Sequence, residues 1–286
     1  MVVFAHAWTL LRQTFIEWYY DKVPQLGAAL AFYTALSIAP LLVIALRVAT
    51  IFFGEDAARG EIHHQIQSLV GEAGSKAVED MLVNANQPAV GFSATALSLV
   101  TLFIGASSMF GQLQDSLNTI WKVKPNPDRG WLATIHDRFL TFSMVLVIAF
   151  LLLVSLVISA VLSAIGVMLE QTRASWIVSP QTLDLLISFT VVTVLFAMIF
   201  KILPDIKIAW SDVWRGAVVT AALFTVGKMA IGYYLGHSTM ASSYGAAGSF
   251  IVLLVWLYYS AQILYFGAEL TQVYARHFGS KTRQEK

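Results

Sequence analysis

The feature that most constrains this chain is a series of long apolar stretches. An α-helix needs roughly 20 apolar residues to cross the roughly 30 Å hydrocarbon core of a bilayer. Stretches of that length or more occupy residues 28–53, 91–120, 139–169, 183–203, 214–235 and 245–274. Charged residues make up 12% of the 286 residues, whereas a soluble domain typically has about 25%. We therefore predict an all-α integral membrane bundle of six transmembrane helices.

The Lys and Arg residues predict the orientation of these helices. Thirteen of them flank the spans on one side of the predicted membrane, and the other side carries only Arg59, Lys76 and Arg173. Short loops rich in Lys and Arg stay in the cytoplasm during insertion. The sequence therefore predicts a multi-pass protein with both termini in the cytoplasm.

Three segments lie outside the spans of this single membrane domain, which covers residues 1–286. Residues 1–22 are predicted to form a helix on the membrane surface, and docking of that helix against the bundle is the alternative. Residues 54–90 are acidic with two apolar patches, which predicts a helical cap on the external side. Residues 275–286 are predicted to be a cytoplasmic tail. The lipid-facing stripe of the first segment would consist of Phe4, Trp8, Leu11, Phe15 and Trp18.

Proline and glycine residues predict a kink and close helix contacts. Pro40 lies inside the first span, where it removes a backbone donor and should kink the helix. Gly232 and Gly236 form a GxxxG pair at the end of span five, and Gly245 and Gly248 open span six. Such small residues favour close helix packing. A re-entrant start of span six is the alternative.

Ionisable residues inside a span indicate function, because each costs about 2.5–3.5 kcal/mol at the bilayer centre. Arg47 and Lys228 are predicted to lie in the outer halves of spans one and five. Arg47 is close enough to the interface for its side chain to reach water. Lys228 lies deeper, so we expect it to face a fixed polar partner or the anionic group of a substrate.

A second polar group lies near the predicted inner face. It comprises Gln112, Asp115 and Asn118 in span two, and Gln262 and Glu269 in span six. The two spans run in the same direction and the residues lie at similar depth. We therefore predict that the two sets lie within side-chain reach and form part of a substrate or ion path. Hydrogen bonds that only hold the bundle together, each worth about 0.6 kcal/mol, are the alternative.

Composition argues against several other classes. The chain has no cysteine, which excludes disulfides, thiolate metal sites and a cysteine nucleophile. A net charge of +1 gives no electrostatic case for a nucleic-acid partner. The histidines are scattered, and no metal-binding, phosphate-binding or nucleophile motif is present. We therefore predict no metal, no cofactor and no enzymatic activity.

Several short runs of residues resemble one known family. They are residues 27–33, 37–41, 112–121, 203–205, 244–248, 254–258 and 267–270. Together they resemble the YihY/virulence factor BrkB family of bacterial inner-membrane proteins, formerly labelled ribonuclease BN. The resemblance implies six spans in the bacterial inner membrane, and some relatives look linked to the export of envelope lipid or lipopolysaccharide. The residues give no support to the ribonuclease label.

These observations favour a transporter or flippase for an anionic amphiphile, with membrane lipids as its partners. An ion- or proton-coupled exchanger that uses Asp115, Glu269 and Lys228 is the second hypothesis. A non-transporting envelope scaffold, which would bind a second copy of the chain or an envelope protein, is the third.

Overall fold

The computed structural model describes residues 2–53, 92–123, 180–237 and 248–279. These residues are helical and include no β-strand. The helices are α1 Val2–Tyr20, α2 Val23–Phe53, α3 Phe92–Ile120, α4 Pro180–Ile202, α5 Trp210–His237 and α6 Gly248–His277.

The helices α2 to α6 coincide with five of the six predicted spans. Among the described residues, Trp210–Tyr234 and Phe250–His277 are long and apolar enough to cross a membrane, and Ser188–Ile202 is a shorter apolar segment. The third predicted span, 139–169, and the predicted cap, 54–90, lie outside the described residues. The all-helical class is confirmed for the part of the chain described, and the count of six spans stays a prediction.

Helix α6 is the central element of this arrangement, since it contacts α1, α2, α3 and α5. Further contacts join α2 to α3 and α4 to α5. A helix enclosed on several sides should be apolar around its whole circumference. The polar residues that α6 carries are therefore unusual, and they define the site described below.

Glycines allow α5 and α6 to approach closely in an antiparallel pair. A Cβ atom built on Gly216 would overlap Thr271 of α6, and one built on Gly267 would overlap Thr220 of α5. Each threonine hydroxyl donates to the carbonyl four residues earlier in its own helix, over 2.7 Å for Thr220 and 2.6 Å for Thr271. Gly227 lies further along the same contact. The pattern Gly-x-x-x-Thr thus occurs once in each helix, and the two copies face each other.

The glycines singled out from the sequence have different surroundings. Gly232 has no described atom within 4 Å of where a Cβ would lie, and its predicted close packing stays a prediction. Gly248 is the buried first residue of α6. Pro40 lies within the continuous helix α2, and its predicted kink stays a prediction. The surroundings of Gly236 and Gly245 lie outside the described residues.

Among the residues whose side chains are described, the main hydrophobic cluster lies at one end of the helices, where α3 and α4 end and α5 begins. We call this the junction end. Trp121, Phe200 and Tyr265 are the largest side chains buried there, each no more than 1% exposed. The apolar burial around them positions the polar residues of α6 beside the termini of α1 and α3.

The end of α3 is a turn centred on Lys122, whose φ of 55° is left-handed. The N–H of Val123 donates to the carbonyl of Asn118 over 2.9 Å, and the N–H of Lys122 donates to that of Thr119 over 3.0 Å. This pair of bonds is the Schellman motif. Glycine is the commonest residue at its left-handed position, which Lys122 occupies here. A left-handed lysine costs roughly 1–2 kcal/mol, so contacts of its side chain are expected to compensate.

Helix α1 packs against α6 and exposes aromatic residues on its other side. Thr14 is fully buried and Trp18 packs against the core. Trp8, Leu11 and Phe15 remain exposed. The structure therefore shows the docked arrangement, and Trp18, which the sequence placed on the lipid-facing stripe, lies on the docked side. The location of the exposed stripe at the membrane surface stays a prediction.

Candidate functional site

One face of α6 carries a row of polar side chains at the core of the described bundle. The row consists of Gln262, Tyr265, Glu269 and Gln272, which lie within about 80° of one another around the helix and extend over about 15 Å. Tyr265 and Glu269 are fully buried and Gln272 is nearly so. We call these four residues the α6 polar face.

Polar atoms on this face lack hydrogen-bond partners within the part of the chain that the structure describes. They are both amide atoms of Gln262, both carboxyl oxygens of Glu269 and Oε1 of Gln272. A buried polar group without a partner costs about 1–3 kcal/mol. Such a row is stable when water, a proton or a ligand supplies the missing interactions.

The neighbours of Glu269 are charged groups from the last turn of α1, from the turn that follows it and from the turn that follows α3. Asp21 lies within side-chain hydrogen-bonding reach of Glu269, and Lys122 and Glu17 are close enough to act on it electrostatically. The buried carboxyl of Glu269 therefore faces two other acids and one cation. Two carboxylates cannot hydrogen-bond to each other while both are ionised, because each is then only an acceptor.

Ion pairs connect this group to the exposed surface of the junction end. Lys122 pairs with Asp21 and lies 3.4 Å from Glu17, measured from Nζ to Oε2. Arg276 near the end of α6 donates to Oε1 of Glu17 over 2.9 Å. His277 and Gln13 are joined by a hydrogen bond of 2.8 Å between Nε2 and Oε1. We call Glu17, Asp21, Lys122 and Arg276 the ion-pair cluster, and it fixes α1 to the ends of α3 and α6.

The pKa values of two cluster residues define the pH range in which the cluster is stable. Burial opposes ionisation of Glu17, yet the Arg276 hydrogen bond and the charges of Lys122 and Arg276 lower its pKa below the usual 4.5. Burial likewise opposes the charge of Lys122, but the Asp21 hydrogen bond and the charges of Asp21, Glu17 and Glu269 raise its pKa above 10.5. The stabilisation from Glu17 is present above pH 4.5 and disappears as the pH falls through the lowered value. That from Lys122 is present below pH 10.5 and disappears as the pH rises through the raised value.

The ion-pair cluster predicts that Glu17→Gln releases α1 from α6. We expect a Gln13→Cys/His277→Cys pair, in a chain that otherwise has no cysteine, to react with a short bifunctional thiol reagent. Adding Glu17→Gln should lower the yield of that cross-link at neutral pH, because Arg276 loses its ionic partner. Arg12→Gln, a change at an exposed position of α1, is the matched control. An equal yield in all three proteins would contradict the prediction.

The predicted polar stripe of α3 has a different set of partners. Asn118 donates from Nδ2 to Oδ2 of Asp205 over 2.9 Å and accepts from the Asp205 N–H over 2.8 Å. Gln114 donates to the other carboxyl oxygen over 3.2 Å. Asp115 is exposed. These three side chains therefore lie by the segment between α4 and α5, and the predicted place of Asp115 and Asn118 on a substrate or ion path stays a prediction.

Gln112 lies on the side of α3 that is nearer to α6. Its Nε2 donates to Oγ of Ser116 over 3.1 Å. Ser116 is fully buried and its side chain neighbours the hydroxyl of Tyr265. Of the three residues predicted to meet α6, Gln112 is therefore the one that leads towards the polar face, and its direct contact with Gln262 or Glu269 stays a prediction.

The hydrogen bonds of Asn118 lead to a test of stability. Asn118→Ala removes two hydrogen bonds to Asp205 and should lower the free energy of unfolding by about 1 kcal/mol, because the site is exposed. Thermal unfolding in detergent measures the effect, and Thr119→Ala, which removes a bond within α3 alone, is the control. An activity loss with unchanged stability would instead place Asn118 on the substrate path.

Gln262, at the other end of the α6 polar face, packs against α2. A Cβ atom built on Gly27 would overlap Nε2 of Gln262 and lie 3.7 Å from Cβ of Ala261. Gly27 begins one of the runs on which the family resemblance rests. Its missing side chain leaves the space that Gln262 occupies, so any larger residue at position 27 would displace Gln262.

Lys228 lies on α5 at the level of the Gln262 end of the polar face. Its neighbour Gly227 packs against Tyr259 and Ile263 of α6, one turn or less from Gln262. Lys228 is partly buried and has no hydrogen bond or ion pair with the described residues. Its predicted contact with a polar partner or substrate stays a prediction.

Sequence reasoning missed two of the charged residues that interact with Glu269, Asp21 and Lys122. Lys122 was counted only for orientation, and Asp21 was not singled out, although both follow the end of a helix. A Lys or Asp at a helix end is common in any protein, so the pattern alone could not distinguish them. Their importance depends on chain segments about 100 and 250 residues apart in sequence meeting in space.

The fold and the comparisons together define a helical membrane protein. Residues 14–286 match the family described as virulence factor BrkB, and the chain belongs to that family. No solved structure matches it.

Its curated relatives are named as membrane proteins. A UPF0761 membrane protein of Ralstonia nicotianae is 25% identical over 87% of this chain and 55% of its own length. One of Verminephrobacter eiseniae is 28% identical over 92% of this chain and 62% of its own length. One of Tolumonas auensis is 27% identical over 88% of this chain and 81% of its own length. The chain therefore spans little more than half of the first two relatives.

Proposed function

We propose that this chain is a six-span transport protein of the bacterial inner membrane, with both termini in the cytoplasm, and that its cargo is an anionic amphiphile. A phospholipid or a lipopolysaccharide precursor has the required chemistry. The observation that carries the proposal is the α6 polar face, a row of buried polar atoms at the centre of an otherwise apolar bundle. A purely structural helix in this position would favour apolar packing.

The distribution of charge supports an anionic headgroup. Lys228 lies near the Gln262 end of the polar face, and Lys122 lies near its Glu269 end. Lys228 together with the amide of Gln262 and the hydroxyl of Tyr265 would provide successive interactions for a phosphate group, whereas Lys122 already pairs with Asp21. The acyl chains of an amphiphile would remain against the apolar surfaces of the helices, and the headgroup alone would follow the row.

The proposal is tested by reconstitution of the purified protein in liposomes that contain a fluorescent anionic phospholipid. Movement between leaflets is measured by the fraction of fluorophore that a membrane-impermeant reductant destroys. Wild type should increase this fraction relative to empty liposomes, and neutral phospholipid should move more slowly. No increase over empty liposomes with any anionic lipid would contradict the proposal and favour the scaffold hypothesis.

Lys228→Met is expected to reduce lipid movement severalfold without lowering the melting temperature. If Lys228 were paired with a fixed buried acid, removing it would strand that acid and cost roughly 3–5 kcal/mol of stability. If Lys228 instead contacts the lipid headgroup, the melting temperature stays unchanged and only the rate of lipid movement falls. Lys207→Met, at an exposed position between α4 and α5, is the control. Unchanged activity and stability would show that Lys228 only reaches out to the membrane interface.

Coupled exchange of protons or other ions is the second candidate function, and the buried carboxyl of Glu269 favours it. A pH-sensitive dye trapped in the same liposomes separates the two functions. An exchanger would dissipate a pH gradient without moving lipid, and the Glu269→Gln variant would no longer dissipate the gradient.

A further inference from the structure

We propose that Glu269 and Asp21 hold one proton between them, and that this proton enters from the junction end through Asp21. The inference rests on the proposed function only in giving the proton a role in transport. The shared proton itself follows from the arrangement of the carboxyl groups.

The first argument is the position of the two acids. Glu269 is fully buried on α6, and Asp21 lies in the turn between α1 and α2 with its side chain 11% exposed. The two side chains are within hydrogen-bonding reach. Because neither ionised carboxylate can donate, a proton on one of them is what turns a repulsive contact into a hydrogen bond. That proton also supplies a partner to a Glu269 oxygen that otherwise has none among the described residues.

The second argument is the charge of the whole group. Three carboxyl groups meet two cations, since Glu17, Asp21 and Glu269 face Lys122 and Arg276. Fully ionised, the group carries one net negative charge, and its fully buried member is Glu269. One bound proton makes it neutral, which is the favoured state where the dielectric constant is low.

Among the residues whose side chains are described, charged groups on the other neighbouring helices do not supply an alternative partner. Arg215 of α5 bonds to the Tyr274 hydroxyl, and Asp212 lies against Gly279 beyond the end of α6. Asp115 of α3 is exposed and interacts electrostatically with Asp205. The part of α2 whose side chains are described, residues 23–37, contains no Asp, Glu, Lys or Arg.

The third argument is the route to water. Lys122 bonds to both carboxyl oxygens of Asp21 and is 44% exposed, so Asp21 is the acid at the water-facing side of the pair. A hydronium ion in the adjoining water transfers a proton to Asp21 and becomes a water molecule. Asp21 loses its negative charge, so its pair with Lys122 is weakened. The proton then moves along the hydrogen bond to Glu269, and Asp21 returns to a carboxylate that pairs with Lys122 again. No bond other than O–H forms or breaks, and no electron is transferred.

The inference is tested on the full-length protein in detergent by infrared spectroscopy, which detects the carbonyl stretch of a protonated carboxyl group. Wild type should show this band at neutral pH, and Glu269→Gln should remove it. Asp21→Asn should also remove it, because the amide can donate to an ionised Glu269. Lys122→Met should have the opposite effect and keep the band to a pH at least one unit higher, because loss of a cation strengthens proton binding. Lys122→Arg preserves the charge and is the control that should titrate as wild type does.

The outcomes separate this inference from the transport proposal. A wild-type protein without the band at neutral pH, or a band that survives in Glu269→Gln, would overturn the shared proton. A shift of the band in the same direction in Asp21→Asn and Lys122→Met would also overturn it. Absence of lipid movement in liposomes would refute transport and leave the infrared result standing. Size-exclusion chromatography of each variant confirms that it is folded before it is measured.

Discussion

Gly267→Val is expected to prevent the chain from accumulating as a folded protein. A Cβ atom at this position overlaps the Thr220 side chain, whose hydroxyl is bonded to its own helix and whose branched Cβ has few alternative conformations. Overpacking in a rigid core costs typically about 1–3 kcal/mol, and more when the backbone must move. The two methyl groups of valine lie beyond the Cβ, so α5 and α6 would have to separate. Fluorescence-detected size-exclusion chromatography measures the loss.

The matched control is Gly232→Val on α5, since no described atom lies within 4 Å of the added Cβ. The two variants make the same change in helix propensity, so a difference between them reports packing alone. Equal amounts of folded protein from Gly267→Val and Gly232→Val would show that the α5–α6 contact tolerates separation. A milder test is Gly216→Ala, for which Thr271 is the obstructing residue.

Trp121→Ala is expected to destabilise the protein by roughly 3–5 kcal/mol, the range observed when a large aromatic side chain is removed from a core. Trp121 is 1% exposed and joins the core cluster at the junction end. It also directly precedes Lys122, so the cavity would loosen the turn that positions this cation. Thermal unfolding in detergent measures the change, and Trp8→Ala, at a residue that is 70% exposed, is the control. Similar melting temperatures for the two variants would contradict the prediction.

The helices were predictable because apolar runs are a local property of the sequence. The neighbours of each helix depend on contacts between distant segments, and here the sequence was a weaker guide. The GxxxG pair beginning at Gly232 is a known packing motif and stands out in the sequence. Gly216 and Gly267 do not stand out, yet they meet Thr271 and Thr220 where α5 and α6 pack together. Similarly, Asn118 lies at the depth of Glu269 but bonds to Asp205.

The candidate site was predictable in part. Gln262 and Glu269 were recognised because polar residues inside an apolar run are conspicuous. Asp21 and Lys122 were not, because they lie outside the runs, where charged residues are ordinary. Their relation to Glu269 arises from the turns that end α1 and α3, and a left-handed lysine is not a conformation that sequence patterns indicate.

The reciprocal Gly–Thr contacts have a mechanical consequence. They join α5 and α6 at two points one helical turn apart. Sliding or rotation of one helix on the other would therefore force each threonine against the backbone of the facing helix. The pair should therefore move as one rigid body. Among the described residues, the contact of this pair with α2 is of a different kind, because Gly27 meets the flexible side chain of Gln262 and not a branched threonine. A rotamer change of Gln262 can therefore adjust the α2–α6 contact without moving backbone.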